Sequence, residues 1–224
     1  MNQERNASVK FLLLVVASII AFTLVGLQIV GHNPIVQNQR YWIISRSSSI
    51  VSYIVLTFVI ILGNLLSNPR NKDRWKLSKY LLPWHQALIA ATYTLVAMHL
   101  IFTVIDPKSG VTFKQMWFPI HAAVHPYPYL AGAFGLYFLI LIGFTASIRK
   151  HFKQWIDIHR ISIVIWFLVT FHGFFGGSDT RAFMLMYGLS TLLTFGTFFY
   201  RHWAIKKEPK KRMTVPLKHK NTAV

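Results

Sequence analysis

Residues 80–104 read YLLPWHQALIAATYTLVAMHLIFTV, a run with no Lys, Arg, Asp or Glu and with two histidines, His85 and His99. A hydrocarbon core about 30 Å thick takes roughly 20 apolar residues of helix, because every backbone polar group must be satisfied inside the segment. This run is therefore expected to cross a membrane. Five more stretches qualify on either side of it: 11–30, 50–66, 129–148, 158–175 and 183–200. The first run is longer than a usual signal core and ends in Gln28-Ile29-Val30-Gly31-His32 without a small-x-small site, so it is expected to stay as a span.

Composition agrees. Of the 224 residues 54% are hydrophobic and only 13% charged, and mean hydropathy is +0.43. A soluble domain would be about a quarter charged, so most of this surface is not built for water. The formal charge of +18 would suit a nucleic-acid partner, but the basic residues cluster between apolar runs, which is a membrane pattern. With no cysteine, disulfides, thiolate metal sites and covalent CxxCH haem attachment are all excluded.

The Lys and Arg placement sets an orientation. Nineteen of the 24 fall before the first run, between the second and third, between the fourth and fifth, and after the sixth; the other side has Arg40, Arg46, Lys108, Lys114 and Arg181. Both ends are therefore expected in the cytoplasm, with spans three and five both running outward. The organisation expected is a cytoplasmic N-terminus (1–10), an all-α six-helix membrane domain (11–200) and a basic cytoplasmic tail (201–224). The expected location is the cell membrane.

Ionisable residues at membrane depth are costly and read as functional by default. Here they are histidines: His85 and His99 near the two ends of span three, His159 and His172 near the two ends of span five. Each pair is separated by about 20 Å along its helix. Two parallel helices then offer two inter-helix pairs, His85 with His159 and His99 with His172. Neutral imidazole keeps a lone pair for iron, and each pair can supply both axial ligands of one haem. Such a haem has no open position and moves electrons only. The phase is uneven. At about 100° per residue, a separation of fourteen returns within roughly 40° of the same face, while thirteen misses by about 140°. A π-bulge, a tilt, or His159 in a loose first turn would repair this. The plainer reading of each histidine is a hydrogen bond to a neighbouring helix.

His85-x13-His99 and His159-x12-His172 resemble the ferric reductase-like transmembrane domain family. That family takes in ferric-chelate reductases, the membrane half of the NADPH oxidases and the haem-bearing partner of bacterial periplasmic methionine sulfoxide reductase. Asp157-Ile158-His159-Arg160, His172-Gly173 and Gly176-Gly177-Ser178-Asp179-Thr180 add to the likeness, which covers roughly residues 45–200. The resemblance implies two stacked b-type haems between helices three and five, with the unequal spacing as a family trait. It implies one-electron transfer from a cytoplasmic donor to an outer acceptor. Two departures stand out. Gln86 follows His85 where several relatives carry a basic residue, and no GxGxxG nicotinamide or flavin domain follows the spans. The expected donor is thus a separate protein, a quinol or a bound FMN or quinone. The expected acceptor is a ferric chelate or an extracytoplasmic oxidoreductase.

Around this core, Arg160 on the inside and Arg46 on the outside are the candidates to pair haem propionates. Arg149, Lys150, Lys76, Lys79 and Arg181 read as ordinary topology signals. Trp84, Phe102, Trp166, Phe167 and Phe171 are candidate porphyrin walls or plain packing. His121 and His125, four apart, could dock a metal with His32, with Asp106 and Asp179 as weaker contributors. A haem-free transporter and a membrane-anchoring structural subunit are the alternatives. The transporter reading lacks a central carboxylate or broken half-helices.

Overall fold

The computed structural model describes residues 2–34, 36–67, 78–119, 126–177 and 180–206. Helices are its only regular elements among those residues. In chain order they are α1 (Asn2–His32), a 3-10 turn (Gln37–Gln39), α2 (Arg40–Leu66), α3 (Ser78–Ile105), α4 (Phe113–Trp117), α5 (Pro126–Ser147), α6 (Trp155–His159), α7 (Ser162–Gly176) and α8 (Met184–Lys206). Five stretches are long and apolar enough to cross a membrane: Val9–Ile29, Gln37–Leu66, Tyr80–Ile105, Pro126–Ser147 and Trp155–Gly176.

The second of these starts well before residue 50, because Arg46-Ser47-Ser48-Ser49 is helical although polar. The sixth expected stretch is a helix of 23 residues, α8, but Tyr187, Gly188, Ser190, Thr191, Thr194, Gly196 and Thr197 dilute its hydropathy. It is not among the five. Lys76, the His121/His125 pair, Asp179 and the basic tail beyond Lys206 lie outside the described residues, as does the side chain of Lys79.

Hydroxyls within apolar helices need partners that water does not supply, and the preceding turn supplies them. Thr57 donates to the Tyr53 carbonyl, Thr92 to Leu88, Thr94 to Ala90, Thr145 to Leu141 and Thr170 to Trp166, all at 2.7–2.9 Å. These residues therefore sit in helix at little polar cost.

Helix α2 is the hub. It packs most extensively on α3 and also on α1, α7 and α8, while α5 packs on α7 and α6. One core cluster joins Tyr53 and Ile60 of α2 to Trp166 of α7 and Tyr187 of α8; a second joins Leu56 to Ile142 of α5 and Ile165 of α7. Trp166 is 1% exposed and donates from Nε1 to Thr57 Oγ1 at 3.1 Å. Helix α1 lies outside, with no residue of its apolar stretch buried. It touches α3 through Phe11 edge-on to Trp84 and through Thr23 beside Met98. Helices α3 and α7 are not among the extensively packed pairs.

The stretch 155–176 is not one helix. Helix α6 ends at His159, α7 begins at Ser162, and the chain between them makes 3-10-type bonds, Ile161 N to Ile158 O (2.9 Å) and Val164 N to Ile161 O (2.8 Å). His159 thus sits in a separate first turn, and the single-helix phase rule does not bind it to His172.

Candidate histidine-pair site

The four histidines meet in the two expected pairs. The ring centres of His85 and His159 are 6.3 Å apart with planes at 72°, and those of His99 and His172 are 6.4 Å apart at 63°. With each Nε2 about 2 Å from a first-row metal and about 1.1 Å from its own ring centre, two trans imidazoles would have centres about 6.2 Å apart. The planes are free to rotate about that shared axis, so neither interplanar angle conflicts with it.

The His99–His172 pair is held by its outer-shell partners. His99 Nδ1 lies 3.0 Å from the Ser45 carbonyl and 3.0 Å from Ser45 Oγ. His172 Nδ1 lies 2.9 Å from the Pro128 carbonyl. A carbonyl only accepts, so in both rings Nδ1 carries the proton and Nε2 keeps its lone pair. This is the arrangement by which a backbone carbonyl fixes the tautomer and aim of a metal-ligating imidazole. Ser45 Oγ also shares a 2.6 Å bond with Thr103 Oγ1, which locks it on α3. Gly132 of α5 makes room for the ring: a Cβ there would stand 2.7 Å from His172 Nδ1.

At the other end His85 is buried beside Gly63 of α2, where a Cβ would stand 3.5 Å from its Cε1. Nδ1 of both His85 and His159 is buried without a hydrogen-bond partner among the described residues. Pro83 leaves the carbonyl of Lys79 without its usual helix donor two residues before His85. Trp155 stands edge-on to His159 at 5.8 Å.

Arg46 is half-buried on α2, next to Ser45, within electrostatic reach of both His99 and His172 and against Gly177. Arg160 donates to Asp157 at 2.7 Å on an exposed face. Arg149, Lys150 and Arg181 are exposed. Among the aromatics, Trp166 is core. Phe102 stacks on Tyr41 at 6.3 Å, and Trp84, Phe167 and Phe171 are exposed. Asp106 is buried and caps the turn after α3 by accepting from Lys108 N. His32 Nδ1 is 2.6 Å from its own-helix Gln28 carbonyl and lines a cleft of about 330 Å³ with Arg40 and Tyr41.

Among the described residues no three His, Asp or Glu converge as a metal-ion cluster. Two protein ligands per site suit an iron whose other four positions are porphyrin nitrogens. Ser45, the Pro128 carbonyl, Gly63 and Gly132 carry no chemistry of their own, and no motif marks them. Comparison with family models, curated proteins and solved structures finds no match.

Proposed function

We propose that this chain is a six-span cytochrome b of the ferric reductase-like kind. In this reading it holds one b-type haem between His85 and His159 at the cytoplasmic end and another between His99 and His172 at the outer end. The observation that carries the reading is the recurrence of one geometry. Two histidine pairs on the same two spans each have a ring separation at which both imidazoles would reach one iron, and one pair has both Nδ1 atoms committed to carbonyls. Simple packing requires neither the repetition nor the shared tautomer.

A haem held by each histidine pair would supply one-electron redox chemistry. The protein does the rest. The Ser45 and Pro128 carbonyls aim the outer imidazoles, Gly132 leaves room for the His172 ring, and Arg46 and Arg160 offer cations to propionates. With α8 as the sixth span, both chain ends are cytoplasmic. The membrane potential then favours outward electron movement by about 2.3 kcal/mol per 100 mV. The donor is a separate protein, quinol or flavin on the inner side. The acceptor is a ferric chelate or an extracytoplasmic oxidoreductase.

The test is a reduced-minus-oxidised spectrum with a haem-to-protein ratio on the purified chain. A b-type α-band at two haems per chain is expected. His99→Ala or His172→Ala should remove one haem and His85→Ala or His159→Ala the other. A colourless chain purified from haem-replete cells overturns the reading.

A further inference from the structure

Helix α1 ends at His32 and α2 begins at Arg40, and their ends enclose the cleft of about 330 Å³ lined by Leu27, Gln28, Gly31, His32, Arg40 and Tyr41. Tyr41 fixes its place in the bundle. It lies one helical turn before Ser45, whose carbonyl is 3.0 Å from His99 Nδ1, and its ring stacks on Phe102 of α3 at 6.3 Å. The cleft therefore sits about one turn beyond the His99–His172 pair, at the same end of the molecule.

Arg40 gives the cleft its charge. Its Nη2 donates to the Tyr41 hydroxyl at 3.0 Å, and its guanidinium carbon stands 4.7 Å from the centre of the Tyr41 ring. Nη1 reaches toward α1, 3.8 Å from where a Cβ on Gly31 would stand. Among the described residues the bond to Tyr41 is the only one this guanidinium donates, so several of its N–H donors are spare. No carboxylate answers the charge. The one arginine–carboxylate pair among the described residues is Arg160 with Asp157, at the other end of the bundle. Arg40 is nonetheless half-buried, where an uncompensated cation costs free energy.

The Tyr41 ring is already engaged by Arg40 and Phe102, so what the cleft offers a ligand is donors. The Tyr41 hydroxyl accepts from Arg40 and keeps its own proton to give. A guanidinium fork beside a second donor matches the oxygens of a phosphate. Leu27 continues the cleft wall down α1, a helix with no residue of its apolar stretch buried against the protein. That wall is built for acyl chain.

We propose that the cleft holds the phosphate of a phospholipid from the leaflet at that end, with Arg40 and the Tyr41 hydroxyl as its donors and an acyl chain lying along α1 past Leu27. The lipid ties α1, which lies outside the bundle, to the start of α2. The inference needs no group bound at either histidine pair. Inorganic phosphate or a soluble carboxylate would meet the same donors, and the experiment separates these sources.

The experiment follows the thermal midpoint of the purified full chain in detergent against added dioleoylphosphatidylglycerol, inorganic phosphate or citrate, with retained lipid counted by native mass spectrometry. The readout is the ligand-dependent shift, so basal stability lost with the Arg40–Tyr41 contact does not enter. Wild type should retain a phospholipid that Arg40→Gln loses. The lipid concentration for half of the shift should rise at least about tenfold in Arg40→Gln, as for loss of a charged hydrogen bond. Tyr41→Phe keeps the ring on Phe102 and loses only the hydroxyl; it should raise that concentration by less, and it carries the test if Arg40→Gln fails to accumulate. Lys114→Gln, exposed on α4 at the same end and outside the cleft, should match wild type. An equal loss in Lys114→Gln overturns the site in favour of general surface charge. Equal retention and equal shifts in wild type and Arg40→Gln overturn it outright, and a shift with phosphate or citrate but not with lipid overturns it in favour of a soluble anion. Haem content read on the same samples is a separate result: a colourless chain that binds lipid through Arg40 sinks the haem reading and leaves this one standing.

Discussion

Gly132→Ala tests the ring geometry at its tightest point. The added Cβ would lie 2.7 Å from His172 Nδ1 and 3.0 Å from its Cγ and Cε1. Comfortable separation is about 3.5–4.0 Å, so the imidazole must retreat by about 0.8 Å. The retreat disturbs both the 2.9 Å bond to the Pro128 carbonyl and the 6.4 Å spacing to His99. Overpacking costs about 1–3 kcal/mol and the strained hydrogen bond about 1 kcal/mol. Against this, Ala gains about 1 kcal/mol over Gly in a helix interior. The packing term wins, for a net loss of about 1–3 kcal/mol. Gly188→Ala is the control, since nothing lies within 4 Å of a Cβ there. The assay is the thermal midpoint of each variant in the same detergent, with haem content alongside. Gly132→Ala should melt lower than Gly188→Ala and lose one haem selectively. Equal melting with a full haem complement would refute the close approach of Gly132 to His172.

Three further outcomes are expected. Trp166→Ala removes a side chain 1% exposed and its bond to Thr57, and should cost about 3–5 kcal/mol in a mixed-micelle unfolding titration. Ser45→Ala loses the hydroxyl bridge to Thr103 for about 1 kcal/mol. It keeps the Ser45 carbonyl on His99, so both haems should persist where His99→Ala loses one. Gly177→Ala drives a Cβ into the Arg46 guanidinium, and should lower the midpoint potential of the His99–His172 haem while leaving the other unchanged in a redox titration.

The helices were legible because a span needs its apolar residues in one uninterrupted run, and residues 80–104 have that without any tertiary help. The start of α2 was not, since Arg40, Arg46 and the serines 47–49 look like a loop. Ser48 and Ser49 satisfy their hydroxyls on carbonyls of the preceding turn, and the neighbouring Ser45 bonds His99 and Thr103 of α3, which are far away in the chain. The histidine pairing was readable from depth, while the thirteen-residue phase conflict between His159 and His172 left a π-bulge, a tilt or a loose first turn open, and only the end of α6 at His159 selects the last. What holds the rings was hidden. A serine carbonyl, a proline carbonyl and Gly132 acquire their meaning only when α2 and α5 arrive beside α3 and α7.

The interruption at residues 160–161 has a mechanical consequence. An unbroken rod would transmit any twist at one end to the other, so a partner pressing on the 149–160 corner would also reorient the far imidazole. A short, separately seated first turn acts instead as a flexible coupling. The near ring can accommodate a visitor at that corner, while the distant ring, moored to Pro128, keeps its aim.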